Sequence, residues 1–300
     1  MMNDSAIDQE QFEVILKLAR REDWGETGGD LTSLLLPETA YHASSNWRLV
    51  ARQLGRFCGG AVLPSLLKAL APEVRLDWLR PRCDSEPVTT GQEIARFSGL
   101  VCQMLAAERT MLNFLQHLSG VATLTGKFVA AVGGTHAKIY DTRKTTPGLR
   151  TLEKYAVRCG GGHNHRSGLY DAVLIKDNHL AGIPVTRLAH TVFEMLSRIE
   201  TLPVRPAFVE VECDDLEQLS ELVKVVGIDL ILLDNFEVGE LRAAVQMRND
   251  AGLRGKVELE ASGGATLDNV RDIAQTGVER IAVGAITHSA PSLDLGLDAA

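Results

Sequence analysis

The chain has 300 residues, 45% of them apolar and 23% charged, with a net charge of −8. That length holds a barrel-sized unit beside a smaller one, and the apolar content excludes a disordered chain. The acidic balance argues against a nucleic-acid surface, which needs a basic field, and five scattered cysteines without a C-x-x-C pair argue against a disulfide framework and a zinc site.

The N-terminus, M-M-N-D-S-A-I-D-Q-E, lacks the basic start and apolar run of a signal peptide, so a cytoplasmic location is expected. Residues 8–22 read as a surface helix, with Asp8 as cap and Phe12, Ile15, Leu16 and Ala19 at helical spacing. A Gly-rich polar loop follows at 25–30. Alternating runs within 47–60 and 74–98 predict antiparallel strands, with a helix near 62–71 between them. Residues 1–117 thus form a separate α+β unit.

Residues 108–132 predict a long helix, with Leu112, Leu115, Leu118 and Ala122 along one face. Asn113, Gln116 and His117 interrupt its apolar stretch, so no membrane span is expected. Arg109 stands beside Glu108 at the predicted helix start, where it can point out of its unit.

From 137 onward short apolar runs alternate with helical stretches: A-K-I-Y (137–140), A-V-L-I (172–175), A-F-V-E-V (207–211), L-I-L-L (230–233), V-E-L (257–259) and R-I-A-V (280–283). This alternation predicts a parallel sheet covered by helices. Polar or Gly residues follow nearly every run, which favours an α/β barrel over 118–289 rather than an open doubly wound sheet. The tail at about 290–300 is expected to pack on the N-terminal unit.

Residues 141–179 carry seven basic and four acidic side chains, net +3 within a chain of −8, so the remainder carries −11. A cationic island in an acidic protein predicts a local anion rather than a polyanion surface. Arg143 and Lys144 follow one strand and Lys176 another, at the mouth of a barrel. Arg143 and Arg166 offer planar forks for carboxylates. Lys144 and Lys176 suit phosphate or pyrophosphate, and His165 adds a donor. His163 reads as a turn or core histidine, and Gly160–Gly162 as a turn or a close ligand approach.

Glu210 and Glu212 share a strand face, and Asp234 ends the next strand. Glu212 and Asp234 are candidate Mg²⁺ ligands, while Glu210 is either a ligand or a partner of the nearby cations. Ser262, Gly263 and Gly284 sit in small-residue turns before helical stretches, where backbone N–H groups hold phosphate, and His288 lies one turn later. G-V-A-T-L-T-G-K (120–127) is a false phosphate loop: its glycines are wrongly spaced, no strand precedes it and it lies in a helix pattern.

The motifs E-R-T-M-L-N-F (108–114), D-T-R-K-T-T-P-G-L-R (141–150), G-G-G-H-N-H-R (160–166), L-I-K-D-N-H (174–179) and L-L-D-N-F (232–236), in this order, resemble the quinolinate phosphoribosyltransferase family. The resemblance runs from E-D-W-G-E-T-G-G-D-L-T-S (22–33) to G-A-I-T-H-S (284–289), and R-C-D-S-E-P-V (82–88) departs from the family's acidic-glycine turn. It implies an incomplete seven-stranded α/β barrel with an N-terminal α/β sandwich domain, and a homodimer in which Arg109 serves the partner's site. It places Arg143, His165, Arg166 and Lys176 around quinolinate. Lys144, Glu212, Asp234 and His288 fall to the pyrophosphate and metal region, and Ser262, Gly263 and Gly284 to the 5′-phosphate. The implied reaction joins quinolinate and phosphoribosyl pyrophosphate with loss of CO₂. The alternatives are a paralogue with another substrate, a Schiff-base lyase using Lys176, and a non-catalytic sensor of pyridine nucleotides.

Overall fold

The computed structural model describes residues 7–26, 29–79 and 84–300. The first six residues of the polar N-terminus, Thr27 and Gly28 of the Gly-rich loop, and Arg82 and Cys83 of the 82–88 turn lie outside the described residues. The chain divides into two compact units. The first comprises Met1–Gly126, Thr145–Gly161 and Ile286–Ala300, the second Lys127–Lys144 and Gly162–Ala285.

The first unit opens with helix α1 (Gln9–Trp24), capped by the Asp8 carboxylate, which accepts from Gln11 N at 3.0 Å. Phe12 and Leu16 are its buried residues, and Phe12 meets Phe114 edge-on at 5.8 Å. Strand β1 (Ser44–Ala51) buries Trp47, Leu49 and Ala51 in strict alternation. Helix α2 (Leu63–Leu70) buries four leucines. Strands β2 (Arg75–Trp78) and β3 (Glu93–Leu100) complete an antiparallel sheet of order C-terminal strand–β1–β3–β2, in which the C-terminal strand Leu295–Ala299 pairs with β1.

Helix α3 (Val101–Ala131) begins seven residues earlier than the sequence pattern predicts. Strand β3 runs straight into α3 at Leu100–Val101 with no residue between them, the only glycine there, Gly99, lying inside β3, and buried Met104 and Ala107 extend the helical stripe backwards. Arg109 is therefore an exposed mid-helix residue, not one at the helix start. The false phosphate loop at 120–127 is helical throughout. Helix α4 (Arg150–Cys159) also belongs to this unit, and its fully buried Glu153 accepts from His117 Nε2 at 2.9 Å and Thr146 N at 3.1 Å. No helix among the described residues is long and apolar enough to cross a membrane.

The second unit is a six-stranded sheet: β4 (Lys138–Tyr140), β5 (Val173–Ile175), β6 (Val209–Cys213), β7 (Leu230–Asp234), β8 (Glu258–Ser262) and β9 (Arg280–Ala282). Each coincides with an apolar run read from the sequence. Every pairing is parallel, in the order β4-β9-β8-β7-β6-β5. All five residues of β6 are buried, as expected for a parallel strand covered on both faces. Beyond β4, His163 adds a one-residue parallel bridge to Tyr140. Its N–H donates to Ile139 O at 2.8 Å, and its ring stacks on Tyr140 at 5.3 Å. His163 is thus a structural extension of the sheet, with its ring pK lowered first by burial and then by Lys138 and Arg280.

Candidate active site

The strand register decides which side chains meet. Glu210 and Glu212 of β6 stand opposite Leu230 and Leu232 of β7, and these stand opposite Glu258 and Glu260 of β8. Arg280 follows opposite Glu260, and Lys138 opposite Arg280. One sheet face therefore gathers ionisable groups from four strands. Arg280 pairs with Glu258 at 2.5 Å and lies over the Tyr140 ring at 4.6 Å.

At the strand ends, Arg143, Arg166, Lys176 and His179 line one cavity of about 670 Å³, walled on its apolar side by Leu169, Tyr170 and Ile175 among others. Arg166 is only 8% exposed and donates to Ala172 O at 3.3 Å. Burial, and then the charge of Arg143, push its guanidinium down from the usual arginine range. Two guanidiniums lining one cavity offer planar forks that match carboxylates. Lys144 follows on the next turn, exposed, with its N–H bonded to Thr142 Oγ1 at 3.0 Å.

Lys176 Nζ pairs with the Glu212 carboxylate. Glu212, Asp214 and Asp234 each present a carboxylate oxygen within 4.8 Å of the others. Hard oxygen donors of this kind fit Mg²⁺ with retained waters. Asp214 is an addition to the pair expected from sequence. Its signal was the E-C-D-D end of β6, where residue 214 returns to the face of 212.

Beneath the cavity, His165 is held on both ring nitrogens. Nε2 lies 2.8 Å from Glu210 Oε2 and 3.6 Å from Glu260 Oε1, while Nδ1 accepts from Arg166 N at 2.8 Å. The ring meets Phe208 edge-on at 5.2 Å. Asp141, fully buried, accepts from His165 N at 2.8 Å and Asn164 Nδ2 at 2.6 Å. Glu210 thus partners a histidine rather than a lysine. Glu260, at 1% exposure, was missed by the sequence reading, although it lies two residues before Ser262 and shares its face. Burial, and then the charge of Glu210, push its carboxyl well above the ordinary range.

Ser262 ends β8, and Gly263 and Gly264 follow with φ of +95° and +62°. A Cβ on Gly263 would lie 2.1 Å from Asn235 Oδ1, and Asn235 N donates to Ser262 O at 2.8 Å, so the β7 and β8 ends are tied together. The next helix starts only at Val270 and has five residues, Val270–Ala274. The helix-terminus setting expected for Ser262 and Gly263 is therefore absent, and any anion there meets loop N–H groups instead. Gly284 does precede a helix, the four-residue Ala285–His288. Arg109 and His288 belong to the first unit, where His288 Nδ1 lies 2.7 Å from Ser289 Oγ.

The chain matches two family profiles, quinolinate phosphoribosyl transferase, N-terminal domain, over residues 30–119 and quinolinate phosphoribosyl transferase, C-terminal domain, over residues 121–298. The nicotinate-nucleotide pyrophosphorylase (carboxylating) of Mycobacterium leprae (strain TN) is 48% identical over 216 residues, 72% of each chain. A Bacillus subtilis (strain 168) relative named for the same enzyme is 37% identical over 90% of this chain and 88% of its own. The solved nicotinate-nucleotide pyrophosphorylase from Francisella tularensis superposes with a TM-score of 0.84 at 34% identity, covering 99% of this chain and 98% of that one. With profile matches over both halves and relatives this similar along most of their length, the chain belongs to the quinolinate phosphoribosyl transferase family.

Proposed function

We propose that this chain transfers the phosphoribosyl group of phosphoribosyl pyrophosphate to the ring nitrogen of quinolinate, with loss of CO₂. The products are nicotinate mononucleotide, pyrophosphate and CO₂, a step of NAD biosynthesis. The observation that carries this reading is the cavity at which Arg143, Arg166 and Lys176 converge in an otherwise acidic chain. The guanidiniums of Arg143 and Arg166 hold the two carboxylates of quinolinate, and Lys176 adds a fixed charge at the rim. His165 acts through Arg166, whose backbone N–H it accepts. Fixing the diacid in this way aims the ring nitrogen at the ribose carbon that loses pyrophosphate. The glycosylated nitrogen is then positive and stabilises the C2 carbanion left when CO₂ departs. A proton is taken up at C2 to complete the product.

Glu212 and Asp234, joined by Asp214, would hold Mg²⁺, which would supply charge neutralisation at the pyrophosphate. Ser262, Gly263 and Gly284 receive the 5′-phosphate. Lys144 and His288 are assigned to the pyrophosphate by likeness to the family's motifs. The six strands and the His163 bridge form an incomplete seven-stranded barrel spanning 118–289, joined to an α/β sandwich domain of 1–117 on which the tail at about 290–300 packs. The working form is a cytoplasmic homodimer in which Arg109 of the partner subunit completes each site.

The Schiff-base alternative is disfavoured by the ion pair between Lys176 and Glu212, which suits a fixed charge rather than a free amine. The test uses quinolinate labelled in its 2-carboxylate. Labelled CO₂ is expected only when phosphoribosyl pyrophosphate and Mg²⁺ are both present, with mononucleotide formed in equal amount. Release without the phosphoribosyl donor, or no release with all components, overturns the assignment.

A further inference from the structure

The first unit holds a second set of reactive side chains, remote in role from the cationic cavity. Cys58 precedes Gly59 and Gly60, and Cys159 closes α4 ahead of Gly160 and Gly161. Both segments lie on one face of α3. Cys58 N donates to Ser119 Oγ at 2.9 Å, and that hydroxyl donates back to Cys58 O at 3.1 Å. A Cβ on Gly59 would stand 2.4 Å from the Leu115 side chain, and one on Gly160 would stand 2.6 Å from Ala122 O. Only glycine allows both backbones this close to the same helix. The two sulfurs and an Asp84 carboxylate oxygen consequently lie within 4.8 Å of one another.

Two thiols and a carboxylate suggest a metal centre, but Asp84 is already committed. Its Oδ1 accepts from Gly59 N and Gly60 N at 2.8 Å each, and its Oδ2 accepts from Ala61 N at 3.0 Å and Tyr155 OH at 2.5 Å. Four donors occupy the lone pairs an ion would need. What remains chemically available is the thiol pair. We propose that Cys58 and Cys159 form a dithiol–disulfide site that reacts with hydroperoxides.

The two thiols are not equivalent. The hydrogen bond donated by Cys58 holds the Cys159 thiol below its usual range, whereas burial, and then contact with Cys159, push Cys58 up. Cys159 is also the more accessible of the two, at 7% exposure against 0%. It is the attacking thiolate and Cys58 the resolving thiol. The Cys159 sulfur attacks one peroxide oxygen, the O–O bond breaks, and an alcohol or water leaves with a proton, giving a sulfenic acid. The Cys58 sulfur then attacks that sulfur, the S–O bond breaks, and water carries off the Cys58 proton. Two electrons pass from the thiol pair to the peroxide, and a dithiol reductant reverses the change.

The test treats the native full-length chain with hydrogen peroxide, alkylates the remaining thiols and maps the peptides by mass spectrometry. The expected result is a Cys58–Cys159 cross-link, two hydrogens lighter than the dithiol and removed by dithiothreitol. Burial pushes the Cys213 thiol up, so it serves as an internal reference. Cys159 is expected to react at least about tenfold faster than Cys213, since each pK unit is a tenfold change in thiolate. In Cys58→Ser the cross-link disappears and Cys159 proceeds to sulfinic acid. A wild-type chain whose Cys58 and Cys159 both stay alkylatable in peroxide, or whose Cys58 links to another cysteine, overturns the proposal.

Discussion

Glu210 and Glu212 leave the same face of β6, two residues apart, and meet opposite surroundings. Glu212 reaches the cavity rim, where Lys176 pairs with it and Asp214 and Asp234 stand nearby. Glu210 points below the rim, where His165 is its hydrogen-bond partner and a second buried acid, Glu260, lies close. The rim groups border the cavity that Arg143, Arg166 and Lys176 line. Beneath it, each buried acid leans on a neighbour that is itself enclosed. The rim is thus built for binding and the cluster for holding Arg166 and the strand ends in place, so variants in the two layers should fail in different ways.

The largest effect is expected from His165→Ala. It leaves Glu210 buried without its hydrogen-bond donor and Arg166 N without its acceptor. Leaving buried polar groups unpaired costs about 1–3 kcal/mol each, more for a carboxylate, so chemical denaturation should show a clear loss of stability. A stable His165→Ala chain with activity lost would erase the distinction between the layers. Arg143→Ala should behave in the reverse manner. Its thermal midpoint stays near that of the parent, while quinolinate binding by titration calorimetry weakens at least about tenfold, ~1.4 kcal/mol or more. Unchanged affinity would remove Arg143 from the site.

Glu260→Gln should give the smallest and most diagnostic change. The Glu260 carboxyl is held well above its ordinary value of 4.5, so the folded chain keeps a proton that the unfolded chain loses. That contribution to stability is complete below 4.5 and declines as pH rises through the folded-state value. Glutamine preserves the shape without titrating. The thermal midpoint of the variant, relative to the parent, should therefore climb as pH is raised from acid to neutral. A pH-independent difference would show that Glu260 is charged in the folded chain.

Particular elements show why some features were legible in advance. The six runs from A-K-I-Y to R-I-A-V became six parallel strands, because strands buried on both faces must be almost continuously apolar. Asp8 announced α1, because a cap is a contact between near neighbours. The sequence places the start of α3 too late because α3 follows β3 directly, with no loop residue between Leu100 and Val101 to mark the boundary. The sequence puts Ser262 in a small-residue turn before a helical stretch, but Asn269 ties a further turn through Thr266 N and Gly264 O, and the helix begins beyond it.

Local sequence by itself determined the parallel strands, the cationic segment of 141–179 and the motif order that marks the family, because each depends on residues close together in the chain or on composition alone. Only the tertiary structure decided that Glu260 faces Glu210 across β7, that both nitrogens of His165 are occupied, that Asp214 joins Glu212 and Asp234, and that Cys58 meets Cys159. Apart from the neighbours Arg166 and His165 and the pair Glu212 and Asp214, those contacts bring together residues twenty to about a hundred positions apart, and they follow from strand register and from two glycine-lined segments packing on α3. A shift of one residue in either would turn the same side chains to the opposite face.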